Sequence, residues 1–422
     1  MDRAAYENYI AILESELIPA MGCTEPIAVA LAGARAATVL GGTPEHMDVY
    51  CSGNIVKNVK GVVVPNSGGQ MGIAAAAVLG AVGGDCASGL EVIEGVTPAH
   101  AETTRRLVAE GMCACHLAEG EESLYIRVEA VRGADRARVE IRTRHNHFAH
   151  ISLNGQVLLE QGALATGKTV VDKERLNVRD IIEFADQLNV DDVKEMLDRQ
   201  IEYNAAISEE GLRNAWGAQV GRTLLSTGAG FVNRAAAKAA AGSDARMGGS
   251  SMPVVINSGS GNQGIAVTMP LYEYAMERKV PRDKLYRALA LANLISIHEK
   301  RFIGNLSAYC GAVSAATASA AGIAYLDGAS YEVIGNTIIN SIGTIGGMVC
   351  DGAKSSCASK IASAVSTALM GYDMAKEGRA LKEGEGLVEG GVEGTIRNIG
   401  RLGCEGMRAT DVEILNIMLG KR

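Results

Sequence analysis

Leu124-Tyr125-Ile126-Arg127-Val128-Glu129-Ala130, Ala137-Arg138-Val139-Glu140-Ile141-Arg142 and Ile151-Ser152-Leu153-Asn154-Gly155-Gln156-Val157-Leu158-Leu159 alternate apolar and polar residues. A period of two is that of a strand with one dry face, and an Asn-Gly pair between two such runs is a tight hairpin turn. Residues 122–161 therefore read as an antiparallel β meander. Upstream, residues 3–18 have helical spacing and end near Pro19, and His46–Cys51 is strand-like. A second helix starts with Thr24 as N-cap and Pro26 in its first turn, and 98–110 forms another with Thr97 as N-cap. Downstream of a mostly polar connector, 166–176, the pattern is helical throughout: 180–188, 191–206, 209–225, 232–246, 263–278, 284–302, 305–325, 330–345, 355–370 and a tail ending near Leu419. The fold class is thus α+β. An N-terminal α/β domain, 1–170, holds the meander, and an all-α domain, 171–422, follows it.

The chain has 422 residues, a net charge of −8, 51 glycines and only 4% aromatics, which suits helices with small side chains packed closely. The acidic balance argues against nucleic acid as a partner, because phosphate binding needs clustered Lys and Arg. The start of the chain lacks the basic and apolar regions of a signal peptide. The apolar runs 27–40 and 72–83 are too short to span a membrane, and Arg35 interrupts the first. Nine cysteines without an export signal read as thiols in a reducing cytoplasm. A small-molecule partner is expected, and a homo-oligomer is left open.

The chemistry centres on Gly346-Gly347-Met348-Val349-Cys350-Asp351-Gly352-Ala353-Lys354-Ser355-Ser356-Cys357, with Cys310 upstream in Ser307-Ala308-Tyr309-Cys310-Gly311. Three thiolates select zinc, copper(I) or an iron–sulfur cluster, and without a fourth ligand they leave one metal position open. Buried cysteines that only pack are the alternative. Cys23, in Ala20-Met21-Gly22-Cys23-Thr24-Glu25-Pro26, lies where a helix begins, a placement that lowers a thiol pKa. Packing is again the alternative. The histidines His145, His147 and His150 read as a solvated strand end, and Cys113-Ala114-Cys115-His116 as packing. In His298-Glu299-Lys300-Arg301, the cations either complement a helix dipole or clamp a carboxylate.

Two segments echo each other: 62–74, with Asn66-Ser67-Gly68-Gly69-Gln70-Met71-Gly72, and 254–266, with Asn257-Ser258-Gly259-Ser260-Gly261-Asn262-Gln263-Gly264. Each reads as extended chain, glycine-rich turn and helix start, where free N–H groups can meet an anion. The second offers more side chains and is the better binding candidate. Neither fits a P-loop or a dinucleotide fingerprint.

At these residues the chain resembles the L-cysteine desulfidases, which are related to the α part of bacterial iron–sulfur L-serine dehydratases. Gly22-Cys23-Thr24-Glu25-Pro26 is similar to the desulfidase signature. The 257–264 loop, Cys310 and the Cys350–Cys357 segment are similar to the dehydratase α region. The resemblance implies a 4Fe–4S cluster on Cys310, Cys350 and Cys357 with one iron open to substrate, and no pyridoxal phosphate. It implies a lyase that removes sulfide from L-cysteine, leaving pyruvate and ammonia, with Cys23 as catalytic thiolate base. Glu25, Asn54, Lys57, Asn66, Asn257, Ser258, Ser260, Asn262, Gln263 and Lys300 form the expected substrate-binding set. The dehydratases carry a longer, proline-containing insert between the last two cysteines, so the loop differs here. L-serine or another small β-substituted amino acid is the alternative substrate. A non-enzymatic protein with a structural thiolate metal site is the alternative of another class.

Overall fold

A computed structural model of the chain describes residues 1–161, 171–304 and 306–421. Helix α1 (Arg3–Glu16) starts at Asp2, whose carboxylate accepts from Ala5 N at 2.7 Å, and buries Tyr9, Ile12 and Leu13. The short strand β1 (Pro19–Met21) leads to α2 (Thr24–Val39), then β2 (His46–Cys51), α3 (Gly53–Val59), α4 (Ile73–Gly83) and α5 (Pro98–Ala109). Cys23, not Thr24, is the N-cap residue of α2; the Thr24 hydroxyl is engaged elsewhere, as described below. Thr97 caps α5 as expected, in a capping box with His100. Helices α2 and α4 touch backbone to backbone. A Cβ on Gly33 would overlap the Ala77 carbonyl, and one on Gly80 the Ala30 carbonyl.

Next come β3 (Cys113–Leu117), β4 (Tyr125–Arg132), β5 (Asp135–Arg142), β6 (Phe148–Leu153) and β7 (Gln156–Glu160). With β2 they form a six-stranded sheet in the order β3-β2-β4-β5-β6-β7. The expected meander is its β4–β7 part, with Asn154 and Gly155 at φ 51° and 81° in the hairpin turn. Strand β3 pairs with β2 in parallel. On this edge strand Cys113 packs against the core as expected, whereas Cys115 is exposed.

The rest is helical: α6 (Val178–Gln187), α7 (Lys194–Arg213), α8 (Val220–Thr227) and α9 (Phe231–Met247), then the short strand β8 (Pro253–Val255). After it come α10 (Gly261–Arg278), α11 (Arg282–Ile303), α12 (Ala312–Leu326), α13 (Tyr331–Ile345), α14 (Ser356–Lys376), α15 (Gly391–Arg401) and α16 (Arg408–Leu419). The break expected after residue 206 is absent. Ser208 does not cap a new helix but donates from inside α7 to the Lys238 carbonyl at 2.8 Å, tying α7 to α9. Helix α12 is buried from Ala312 to Ala324, and its small residues let α10, α11, α13 and α14 close around it. Its expected start at Asn305 and residues 166–170 of the expected connector lie outside the described residues.

The two parts are laced together. Strands β1 and β8 pair antiparallel, Pro19 with Val255 and Met21 with Pro253, and Ile256 N donates to Ile18 O at 3.0 Å. Tyr6 and Tyr9 of α1 lie against Phe184 of α6, each pair of rings 5.3 Å apart. Helix α16 returns to α3, where Asp411 takes Lys57 at 2.5 Å and Asn54 at 2.8 Å. No helix among the described residues is long and apolar enough to cross a membrane.

Candidate functional site

The β1–β8 ribbon decides where the site lies. It brings the start of α2 against the turn before α10, and the Thr24 hydroxyl donates to the Gly259 carbonyl at 2.9 Å. Cys23 thereby faces the second glycine-rich loop. A third wall comes from the helical pair α12–α13, which runs out and returns. At its base Tyr309 and Val349 form an antiparallel bridge: Cys310 N donates to Met348 O at 2.9 Å and Cys350 N to Ala308 O at 2.6 Å. That bridge sets Cys310 beside Cys350. Cys357 follows in the first turn of α14, with its Sγ 3.7 Å from the Gly352 carbonyl.

These walls enclose a cavity of about 100 Å³. Cys23, Glu25, Ser258, Ser260, Asn262, Gln263, Lys300, Cys310, Cys350 and Cys357 all line it. Four expected residues do not: Asn54, Lys57, Asn66 and Asn257. Asn54 is held by Asp411 of α16 and faces a different cleft. Asn66 turns back to the Ile93 and Glu94 carbonyls, at 2.9 and 3.4 Å. Asn257 is fully buried behind the loop, where it donates to Asn293 Oδ1 at 2.9 Å and accepts from Ser258 and Ser296 at 2.9 and 3.0 Å. It holds the loop's shape and has nothing left for a ligand. Lys57, buried beside Asp411, reaches the Cys350 carbonyl from behind the thiols at 3.4 Å.

Charge in the cavity is arranged in two groups. Cys310 and Cys350 share a proton: the hydrogen bond from Cys310 brings Cys350 down to about 6, helped by the charges of Lys57 and Lys360, while Cys310 is pushed up. Burial pushes Cys357 up as well, and brings Lys300 down to about 8. In the second group the thiol of Cys23 donates to Glu25 Oε2 at 2.9 Å. Burial, then the Glu25 charge, raise this thiol well above its ordinary range. The expectation of a helix-start thiolate is therefore corrected. Desolvation outweighs the helix dipole here, and the resting Cys23 keeps its proton. Burial also works against the Glu25 carboxylate, but His145 and the Cys23 thiol hold it at about 2.

Two residues lining the cavity were not expected there. His145 is not a solvated strand end: the chain turns at Thr143, with φ 65°, and carries His145 inward until Nε2 lies 3.9 Å from Glu25 Oε1. Period-two reasoning ends where the strand ends, so nothing local marks this histidine. Arg246, on α9, is 2% exposed, lines the cavity and forms no ion pair among the described residues. Its sequence signal is a charge on a helix face whose neighbouring positions, Ala239 and Gly242, are small and buried.

Four side chains that line this cavity carry a buried polar atom without a hydrogen-bond partner among the described residues: Arg246 Nε, Asn262 Oδ1, Gln263 Oε1 and Tyr309 OH. Unmet groups at this density point to a site that takes a polar ligand. Among the described residues no three His, Cys, Asp or Glu side chains close around a single metal ion. The three thiols instead share one cavity wall, with the ammonium groups of Lys57 and Lys360 close enough to depress Cys350. A soft donor set with compensating cations fits a cluster better than a lone ion.

The family model described as "Serine dehydratase alpha chain" matches residues 87–416. A UPF0597 protein of Desulfitobacterium hafniense is 47% identical over 418 residues, covering 99% of this chain and 97% of the relative. A UPF0597 protein of Lachnoclostridium phytofermentans is 47% identical over 415 residues, 98% and 100% of the two chains. One of Treponema denticola is 42% identical over 427 residues, 99% of each.

Proposed function

From its membership of the serine dehydratase alpha-chain family, we propose that this chain is an iron–sulfur lyase that eliminates sulfide from L-cysteine. The observation that supports the reading best is the cavity itself, which Cys310, Cys350 and Cys357 line together with Cys23 and Glu25. Cys310, Cys350 and Cys357 would hold a 4Fe–4S cluster, which when bound supplies a Lewis-acidic iron for the departing sulfur or the substrate carboxylate. The Gly22–Pro26 signature favours cysteine over serine.

The chain's own residues manage the proton and the water. The α-proton of the substrate leaves to Cys23 Sγ as thiolate. The resting thiol donates to Glu25 Oε2 at 2.9 Å, and because Glu25 is the weaker base that proton must pass beyond it before Cys23 can act. The Cα–H electron pair becomes the Cα–Cβ double bond, and the Cβ–S pair leaves with sulfur as hydrosulfide. Aminoacrylate then tautomerises and hydrolyses to pyruvate and ammonium. Burial of Cys23, Glu25 and Arg246 keeps bulk water from the wall on which this proton moves. Nine free cysteines and an oxygen-labile group support a reducing cytoplasm as the setting of such an enzyme.

Anaerobic reconstitution with iron and sulfide tests the reading. The wild type should gain cluster absorbance and release sulfide from L-cysteine faster than pyruvate from L-serine. Cys310→Ser should lose absorbance and activity together. Cys23→Ser should keep the absorbance and lose about 100-fold or more in turnover. Serine turned over faster would make the chain a dehydratase. A single tightly held zinc, with no turnover of either amino acid, would make the thiols a structural metal site.

A further inference from the structure

The arrangement at the start of α10 goes one step beyond the lyase reading and rests on it: it concerns how that site would recognise its substrate. Helix α10 runs for 18 residues and begins at Gly261 after Ser260, whose side chain makes no capping hydrogen bond. The first N–H groups of the helix are thus left for another acceptor. The side chain of Arg246 lies against this end: a Cβ on Gly261 would come within 2.9 Å of its Cζ and 2.6 Å of Val254 Cγ2. Gly261 is what lets the guanidinium reach the helix start. Two sources of positive potential, a helix N-terminus and a guanidinium, therefore meet at one place in the cavity wall.

Arg246 is costly where it stands. A guanidinium that is 2% exposed ordinarily has a carboxylate beside it, and this one has no ion pair among the described residues and an Nε without a partner. Glu25, the carboxylate on the same side of the cavity, is occupied by Cys23, Thr24 and His145. On the opposite side the thiols have their own cations, Lys57 and Lys360. Next to the helix start, Gln263 is 5% exposed and its Oε1 also lacks a partner. Its amide packs against Gly311, where a Cβ would lie 2.5 Å from Cδ, so it reaches from α10 to the Cys310 wall. The unmet atoms thus include both kinds: donors on Arg246 and the α10 N-terminus, an acceptor on Gln263.

We propose that Arg246 and the N-terminus of α10 bind the carboxylate of an α-amino acid, and that Gln263 Oε1 accepts from its ammonium group. The planar guanidinium suits a carboxylate with two parallel N–H···O bonds, which a lysine cannot reproduce. The ammonium then lies toward Cys310, and Cα between the thiol wall and Cys23. The site selects a free carboxylate as well as a leaving group.

The test separates recognition from chemistry by using L-alanine, which has no leaving group, and L-alaninamide, which has no carboxylate. Calorimetric titration of the full-length chain should give L-alanine an affinity at least about tenfold above that of L-alaninamide. In Arg246→Gln that preference should fall to within about twofold, and Arg246→Lys should keep part of it. Gly261→Ala, which pushes on the guanidinium, should lose it with Arg246 intact. A preference unchanged in Arg246→Gln or, should that variant not fold, in Arg246→Lys, overturns the proposal. So does a wild type without the preference. So does loss of iron binding in Arg246→Gln with L-alanine affinity retained, because the guanidinium would then serve the thiols. If the preference depends on Arg246 but neither L-cysteine nor L-serine is turned over after reconstitution, the anchor stands and the lyase reading fails. If turnover persists in Arg246→Gln at unchanged KM, the lyase reading stands and the anchor fails.

Discussion

Residues 62–74 and 254–266 are close to the same motif written twice, and the molecule uses them differently. In the first, every polar side chain is spent on the protein's own backbone. Asn66 holds the Ile93 carbonyl, Ser67 bonds Gln70 N at 2.8 Å and Gln70 O at 3.1 Å, and Gln70 reaches the Ala101 carbonyl at 2.9 Å. Met71 lies exposed beside it. In the second, Asn257 carries the structural role with Ser258 bonded to it, which leaves Ser260, Asn262 and Gln263 lining the cavity. The difference comes from what covers each loop. The β1–β8 ribbon lowers the Cys23 segment onto the second turn, whereas the first turn is met by α5, through Arg105 and Ala101. A glycine-rich turn before a helix is a conformation, and becomes a site only when the part of the chain that closes over it leaves its side chains free.

The largest effect that would sharpen this contrast is at the equivalent glycines. A Cβ on Gly264 would overlap the Val255 carbonyl, so Gly264→Ala should cost about 3 kcal/mol and abolish L-alanine binding. Gly72 has open space around it but sits at φ 96°, ψ 171°, a region comfortable only for glycine. Gly72→Ala should cost about 2 kcal/mol and leave L-alanine binding unchanged. Urea denaturation and calorimetry read the two effects separately. Equal loss of binding in both would erase the distinction between the loops.

The second contrast is in pH. Only the 254–266 loop faces a titrating wall, and there Glu25 is held at about 2 against an ordinary value of 4.5. A depressed carboxylate contributes stability that is present above about pH 4.5 and is lost as the pH falls toward 2. A drop of this size is worth about 3 kcal/mol at neutral pH. Glu25→Gln should therefore be destabilised at pH 7, and its deficit should narrow steadily as denaturation is repeated at lower pH. Asn66→Ala, beside no such group, should lose about 1 kcal/mol at every pH. A Glu25→Gln deficit that stays flat with pH would show the carboxylate to be unimportant to the fold.

The third concerns the two leading asparagines. Removing Asn257 strands partners on Asn293 and Ser296 that are buried, so Asn257→Ala should cost about 2–3 kcal/mol, against about 1 for Asn66→Ala. The sequence invites the opposite reading, in which Asn257 touches substrate. A raised KM in Asn257→Ala at unchanged stability would restore that reading.

How much could be read in advance follows from how local each signal is. The meander was legible because alternation and an Asn-Gly turn are written in adjacent residues, and the helices because their spacing is. The cysteines were legible as chemistry because thiol type alone selects soft ligands. The β1–β8 ribbon was not: each strand has three residues, they lie far apart in the chain, and such short pieces carry no period. Without that ribbon the meeting of Cys23 with Ser258–Gln263 could be expected only from resemblance. Arg246 was missed because an Ala-rich helix ending in a basic residue looks like dipole complementation. Burial, which alone makes the charge unusual, is a property of the fold. Cys23 was misjudged in one respect for the same reason, since the desolvation that keeps its proton in place comes from both halves of the molecule.

The smallest predicted effect is the most discriminating, because it asks one hydroxyl to do one thing. Ser260 precedes α10 without capping it, and lines the cavity. Its removal costs the fold no hydrogen bond, so Ser260→Ala should unfold at the wild-type urea concentration. If the hydroxyl meets the substrate, one lost neutral hydrogen bond is worth about 1 kcal/mol, a KM raised roughly fivefold with kcat unchanged. Ser67, the serine of the first motif, is fully buried and closes its turn with two hydrogen bonds to Gln70. Ser67→Ala should therefore lose about 1–2 kcal/mol of stability and keep its KM. Each substitution removes one serine hydroxyl from a glycine-rich turn, and their effects should fall on different observables. Should both change KM, the first loop also reaches the substrate. Should neither, the second loop offers only its backbone, and recognition would rest on Arg246 and the N–H groups of α10.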